Sequence, residues 1–273
     1  MISYAFAVVA IAGASLIPAY VSLYAFTNLK IQTRYLAAIG LGLAIWFFFD
    51  TFNDADQLDV NQQFTGGVPH IAHIFIFCAG IAILAIFDYF VLSKPYDQET
   101  APNIQPPYWK SLVLLPIAIA FVMGIHSAAE GLAFGGGASA ATTQTIYDAF
   151  GNLLALISFP VHKFCEAGIV ACAYAIYVKR TEAVKRVWHI PVLGLLFGGT
   201  TVVGTAVGYY FHPDITYLYA FGVTSGIYAI IRLAEAISPR FKVGVNAPAF
   251  LGWKIFFALL IGFFLLYFAG TLH

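Results

Sequence analysis

The stretch IYDAFGNLLALISFPVHKFCEAGIVACAYAIYV, residues 146–178, decides how the chain folds. It is long and apolar enough to cross a bilayer, since about 20 apolar residues suffice. Yet His162, Lys163 and Glu166 lie well inside it. A charge at mid-bilayer costs at least about 2.5–3.5 kcal/mol on the insertion scale, so such residues need partners or a wet cavity. The stretch therefore predicts a transmembrane helix that carries a polar site.

The composition of the whole chain agrees with a membrane protein. Of its 273 residues, 61% are hydrophobic and only 10% are charged, whereas soluble domains are typically about half apolar and a quarter charged. The formal net charge is zero, so no overall positive field indicates nucleic acid as a partner. We expect the lipid bilayer to cover the apolar surface, and we place the protein as a multi-pass protein of the cell membrane.

Apolar runs of about 20 residues recur along the chain. We predict an all-α, polytopic membrane protein with about eight transmembrane helices in one domain, residues 1–273. The stretch GGGASAATTQT, residues 135–145, is predicted to be a loop between the fourth and fifth spans. The predicted spans lie near residues 2–27, 35–53, 70–92, 109–134, 146–178, 188–211, 215–237 and 249–272.

The Lys and Arg residues of the connections fall on one side of the membrane in this predicted topology. Cytoplasmic connections of membrane proteins are enriched in Lys and Arg. The first, third, fifth and seventh connections are basic, while the others contain no Lys or Arg. Both termini are therefore predicted to lie outside. The basic residues of the inner connections are Lys30, Arg34, Lys94, Lys110, Lys179, Arg180, Lys185, Arg186, Arg240, Lys242 and Lys254.

The fourth and fifth spans carry the same polar pattern. His126 and Glu130 are four residues apart in the fourth span, as are His162 and Glu166 in the fifth. Residues at this spacing lie on one helical face. A single buried His or Glu is more often a hydrogen-bonded core residue, but two such faces in consecutive spans favour a ligand set. Mixed nitrogen and oxygen ligands suit zinc and other divalent transition metals.

These motifs resemble those of the ZIP (Zrt/Irt-like) family of divalent metal transporters. HSAAEG (126–131) is similar to the family's fourth-span HNxPEG, and HKFCEAG (162–168) to its fifth-span H-[ED]-x-P-E-G. FFFDTFNDA (47–55), FGGTTVVGTAVGY (197–209) and IIRLAEA (230–236) lie where the family's second, sixth and seventh-span motifs belong. The resemblance implies a ZIP-like bundle and movement of the metal ion toward the cytoplasm.

The resemblance also assigns the residues of the site. It implies a principal metal site formed by His126, Glu130, His162 and Glu166, and a second position formed by Ser127, Lys163 and Thr201. The family often has amide or acidic residues at the second position, where this chain has two hydroxyls and an ammonium. We expect Lys163 to act as a tethered cation that balances the carboxylates in place of a second ion. A single metal site follows from this substitution.

Further acidic residues mark the predicted ends of the path. Asp50 and Asp54 end the second span on the predicted outer side, where they would concentrate cations; a plain solvated helix end is compatible with that role. Asp88 and Glu235 lie near the inner ends of the third and seventh spans and are candidates for the exit. Pairing with Arg232 or Lys94 is the alternative for these two.

We therefore predict a transporter, not an enzyme, whose substrate is Zn²⁺ or another divalent transition metal: iron, manganese, cobalt or cadmium. No P-loop motif is present in the sequence, so transport would be driven by ion gradients. Two alternatives stay open. One is a metal-binding homologue that is plugged by Lys163, and the other is an intramembrane metal-dependent hydrolase. A homodimer is compatible with the sequence.

Overall fold

A computed structural model of the chain describes residues 2–60, 71–87, 114–141, 150, 152–181, 188–212, 215–237 and 252–270. These residues form helices and short connections and contain no strand, which confirms the predicted all-α fold. The helices are α1 (Tyr4–Asn28), α2 (Thr33–Val60), α3 (Ile71–Phe87), α4 (Leu114–Ala140), α5 (Leu153–Thr181), α6 (His189–Tyr210), α7 (Thr216–Ile237) and α8 (Trp253–Gly270).

Seven of the described helices are long and apolar enough to cross a membrane. The remaining helix, α3, is apolar but has 17 residues. Large apolar side chains such as Phe121, Val203 and Phe268 are exposed on the outside of the bundle. Such a surface requires lipid rather than water around it. The chain is a polytopic membrane protein, and each predicted span corresponds to one described helix.

The helix contacts fall into two groups. In the first helix group (α1, α4, α5 and α6), α4 packs along α6 and α1 packs along α5. In the second helix group (α2, α3, α7 and α8), α2 packs along both α7 and α8, and α3 packs on α7. The groups meet where α2 and α8 contact α5 and where α7 contacts α4. The two helices that carry the His/Glu pairs, α4 and α5, thus lie at the boundary between the groups.

Glycines bring α4 and α6 into close backbone contact. A Cβ atom added to Gly131 of α4 would collide with the carbonyl of Thr201, and one added to Gly135 would collide with the carbonyl of Thr205. Gly204 of α6 meets the α4 backbone in the same way. Small residues permit this approach between membrane helices, where packing drives association. This close contact holds α6 against α4 next to the candidate site.

The predicted loop at residues 135–145 was wrong over its first half. Helix α4 continues through Gly135, Gly136 and Gly137 and ends at Ala140. Glycine disfavours an isolated helix by about 1 kcal/mol relative to alanine, which is why the sequence indicated a loop. Here packing against α6 overrides that propensity, because at Gly135 the lack of a side chain is what allows the backbones to meet.

Helix α5 begins later than residue 146, the predicted start of the fifth span. Its first residue is Leu153. The side chain of Asn152 accepts a hydrogen bond from the backbone N–H of Ala155, at 2.8 Å. Asparagine in this position satisfies a helix-end donor that has no partner within the helix. This cap sets the start of α5.

Helix α6 contains a π-helical segment at Leu195–Gly199 that the sequence did not predict. Within this segment, the carbonyl of Gly198 accepts a hydrogen bond from the Ser15 hydroxyl of α1, at 3.3 Å. Phe197 is buried, and its ring centroid lies 5.3 Å from the Lys163 ammonium nitrogen. Wide turns of this kind occur frequently at functional sites. In this chain the segment places the aromatic ring of Phe197 near the Lys163 ammonium.

Candidate metal centre

Helices α4 and α5 bring the predicted His/Glu pairs together. The α4 pair is His126 and Glu130, and the α5 pair is His162 and Glu166. Both histidines and Glu166 are buried, and Glu130 is partly buried. The i, i+4 spacing in each helix thus produces two polar faces that meet inside the bundle, as the sequence predicted. Their role as metal ligands stays a prediction.

One carboxylate oxygen of Glu166 lies close to both histidines. Its Oε1 atom lies 3.4 Å from Nε2 of His126 and 3.3 Å from Nε2 of His162. These distances exceed the roughly 2.7–3.2 Å of ordinary N–H···O hydrogen bonds, and Oε1 makes no hydrogen bond within the described residues. A tetrahedral ion at about 2.0–2.2 Å from its ligands separates them by about 3.3–3.6 Å. The spacing at Glu166 therefore fits ligands that share one small divalent ion.

Three of the four residues form a mutually close set. One ligand atom each from His126, Glu130 and Glu166 lies within 4.8 Å of the other two. The longest ion-pair distance in the set joins His126 Nε2 to Glu130 Oε1, at 3.8 Å. His162 is linked to the set through Glu166 and lies at its edge. The structure thus groups three of the four predicted ligands closely, with His162 next to them.

Lys163 lies between the two glutamates. Its ammonium donates hydrogen bonds to Oε2 of Glu130 and to Oε2 of Glu166, the latter at 2.6 Å, and to the hydroxyl of Ser127 at 3.1 Å. The rings of Phe159 and Phe197 lie 5.7 Å and 5.3 Å from it, within range of cation–π attraction. Each glutamate thus presents Oε1 to an imidazole and Oε2 to the ammonium. The predicted contact of Lys163 with both carboxylates is present.

The other two residues of the predicted second position differ from each other. Ser127 accepts a hydrogen bond from Lys163, so it belongs to the lysine's surroundings. Thr201 is fully buried, and its hydroxyl makes no hydrogen bond within the described residues. Its carbonyl faces Gly131 and accepts a hydrogen bond from the Thr205 hydroxyl. Thr201 therefore lines the α4–α6 contact, whereas the Lys163 ammonium donates to Ser127, Glu130 and Glu166.

His126 is oriented by packing. Its ring meets the rings of Phe47 and Tyr219 edge-on, with centroids 4.8 Å and 5.4 Å away. A Cβ on Gly222 would come within 3.0 Å of His126 Nδ1, so a glycine there makes room for the imidazole. Nδ1 is buried without a hydrogen bond in the described residues. These neighbours come from α2 and α7, and no sequence signal distinguished them from ordinary core residues.

Asp50 approaches the centre from α2. Its Oδ2 atom lies 3.6 Å from Nε2 of His162, and its side chain is 25% exposed. The sequence predicted Asp50 only as an acidic helix end at the outer side. A direct approach to His162 was missed, because nothing in the sequence shows which face of α2 meets α5. Asp50 of α2 and His162 of α5 are therefore neighbours within one polar cluster.

The remaining predicted path residues are not part of the described cluster. Glu235 of α7 pairs with Arg232, with Nη1 and Oε2 at 2.6 Å, and its side chain is mostly exposed. This pairing was the alternative that the sequence left open. Asp54 lies on α2, but its side chain is outside the described part of the structure, and Asp88 lies outside the described residues.

The fold and the site define a polytopic helical membrane protein with a buried His/Glu cluster between two adjacent spans. No protein-family model matches the chain, and no curated protein matches it. The resemblance of its motifs to the ZIP family therefore stays a prediction.

Proposed function

We propose that this protein is a ZIP-like transporter that carries divalent transition-metal ions, zinc foremost, across the cell membrane toward the cytoplasm. The observation that carries the proposal is the convergence on Glu166 Oε1 of two imidazole nitrogens, from two membrane helices, at 3.3 Å and 3.4 Å. A purely structural His–Glu contact would need one imidazole. Two imidazoles and a second glutamate provide the donor set that zinc prefers.

The charges of the centre support one ion rather than two. Asp50, Glu130 and Glu166 provide three carboxylates, and Lys163 provides one ammonium in contact with two of them. With neutral imidazoles, two negative charges remain, and one divalent ion neutralises them. A second ion would have to displace the Lys163 ammonium. Burying unbalanced charge is costly, so we expect a stoichiometry of one zinc per chain.

The two helix groups suggest how the site could open first to one side of the membrane and then to the other. All four proposed ligands lie on α4 and α5, within the first helix group, while Asp50 lies on the second helix group. A rocking of one group against the other would move the ligands as a unit relative to Asp50. Transporters with sites at the interface between bundles use such movements. The glycine contact of α4 with α6 would keep the moving unit rigid.

Uptake into proteoliposomes tests the proposal. Vesicles that contain a zinc-sensitive dye would be prepared with the wild type, Glu166→Gln, and Glu182→Gln as a control. Glu182 follows the last residue of α5 in the sequence, 16 positions after Glu166. The wild type and the control should take up zinc at similar rates, and Glu166→Gln should be slower by at least about tenfold. Equal uptake by all three proteins would refute the assigned site.

A second candidate function is favoured by the contacts of Lys163. Because its ammonium already binds both glutamates, it can act as a plug in a protein that binds metal without transporting it. The same vesicles distinguish this case. A wild-type protein that binds zinc in solution but shows no uptake, together with uptake by Lys163→Ala, would identify the plugged form.

A further inference from the structure

His162 lies between two carboxylates that differ in solvent exposure. Its Nε2 atom is 3.3 Å from Oε1 of Glu166 and 3.6 Å from Oδ2 of Asp50. The Glu166 side chain is 0% exposed and that of Asp50 is 25% exposed. The three groups thus form a line that leads from the surface of the bundle to its buried centre, and the line crosses from α2 to α5.

The end of α8 borders these residues at Gly270. A Cβ atom on Gly270 would lie 3.2 Å from Nε1 of Trp46, 3.6 Å from Oδ1 of Asp50 and 3.8 Å from Nδ1 of His162. Trp46 Nε1 is buried without a hydrogen bond in the described residues. Three polar groups therefore face the position that a larger residue at 270 would fill.

We propose that Asp50 forms an outer coordination step with His162, which takes the cation from water and passes it to Glu166, His126 and Glu130 while His162 stays bound to the ion as the shared ligand. This inference rests on the proposed function. Successive ligand atoms along the line are 3.6 Å, 3.3 Å and 3.4 Å apart. Those spacings match the edges of a tetrahedral zinc site, about 3.3–3.6 Å. An ion can therefore bind the next ligand before it leaves the previous one, and it loses its water in stages.

The geometry separates this role from simple positioning of His162. Residues that orient a metal-binding histidine normally bind the ring nitrogen that does not face the metal. Asp50 instead lies nearest Nε2, the same nitrogen that faces Glu166. A carboxylate on the ligand side of the imidazole competes for the cation rather than holding the ring from behind.

Rates of zinc binding test the proposal where equilibrium binding alone would not. In stopped-flow mixing of purified protein with Zn²⁺ and a zinc-sensitive chelator, Asp50→Asn should lower kon and koff together, each by about tenfold, and leave Kd within about threefold. The reason is that removal of an intermediate step raises the barrier in both directions. Asp54→Asn removes the same charge near the same end of α2 and tests attraction alone, so it should lower kon by at most about threefold and leave koff unchanged.

A steric variant tests the same step without changing charge. Gly270→Ala would place a methyl group among Trp46, Asp50 and His162, and it should lower both rates severalfold with Kd preserved. Gly137→Ala is the matched control, because a Cβ there meets nothing within 4 Å. Rates unchanged in both Asp50→Asn and Gly270→Ala would overturn the outer step while leaving the proposed function intact.

Other outcomes are equally decisive. An Asp50→Asn variant whose koff alone rises, with Kd weakened as in Glu166→Gln, would make Asp50 a ligand of the final site and overturn the step. Equal slowing by Asp54→Asn would reduce the effect to long-range attraction and also overturn it. A wild-type protein that binds no zinc at equilibrium would refute the proposed function, and the outer step with it.

Discussion

Replacing Lys163 with methionine should destabilise the zinc-free protein and increase its response to zinc. Methionine preserves much of the side chain's apolar volume but removes the ammonium that contacts Glu130, Glu166 and Ser127. Lys163 is fully buried, so two neighbouring carboxylates would be left without their counter-charge. Removing one partner of a buried ion pair typically costs about 3–5 kcal/mol. At about 2–4 °C per kcal/mol for a chain of this size, Tm should fall by about 6–20 °C.

Zinc should reverse much of this loss. An ion that binds only the folded state at 100 times its Kd contributes about 2.7 kcal/mol, which corresponds to about 5–11 °C. The gain should be larger in Lys163→Met than in the wild type at equal zinc, because the variant centre carries one more uncompensated negative charge. Thermal unfolding in detergent, followed by tryptophan fluorescence with and without zinc, measures both effects.

Lys179→Met is the matched control for this experiment. Lys179 lies on the same helix, but its ammonium donates to the backbone carbonyls of Leu29, at 2.6 Å, and of Ile31. Its loss should lower Tm less and leave the zinc response unchanged. If Lys163→Met shows the wild-type Tm without zinc and the wild-type gain with zinc, the assignment of Lys163 as a charge-balancing group is refuted.

Three further substitutions test other parts of the account. Glu166→Gln should weaken zinc binding in calorimetric titration by at least about 100-fold, since even partners beyond the ligand shell are typically worth 10–100-fold; retained affinity would exclude Glu166 as a ligand. Thr201→Val removes a buried hydroxyl that makes no described hydrogen bond, so Tm should hold or rise slightly and the zinc stoichiometry should stay the same. Gly131→Ala would force its methyl group into the α6 backbone and should cost about 1–3 kcal/mol, whereas Gly137→Ala, in open space, should stay within about 1 kcal/mol. A Gly131→Ala protein with the wild-type Tm would contradict the close α4–α6 contact.

The sequence predicted the convergence of the two polar faces because that information is local. The four-residue spacing of His126 and Glu130, and of His162 and Glu166, places each pair on one helical face whatever the rest of the chain does. The cost of burying those groups in lipid then requires the faces to meet. Lys163 follows by the same reasoning, since an ammonium in mid-span next to glutamates needs them as partners.

Contacts between distant helices were not predictable in the same way. The approach of Asp50 to His162 depends on how α2 is rotated against α5, and one sequence contains no signal for that rotation. The helical course of Gly135, Gly136 and Gly137 depends likewise on α6, because local propensity alone favours a loop. The positive-inside argument for the orientation of the termini stays a prediction, as do the metal, the direction of transport and the family.

The coordination of bound zinc tests the central claim most directly. X-ray absorption at the zinc edge, on purified protein loaded to its measured stoichiometry, reports the number and type of ligands. One zinc per chain, with mixed nitrogen and oxygen ligands at about 2.0–2.2 Å that are lost in Glu166→Gln, is the result we predict. A spectrum of zinc surrounded only by water oxygens, or one unchanged in Glu166→Gln, would contradict the claim that these two helices bind the ion.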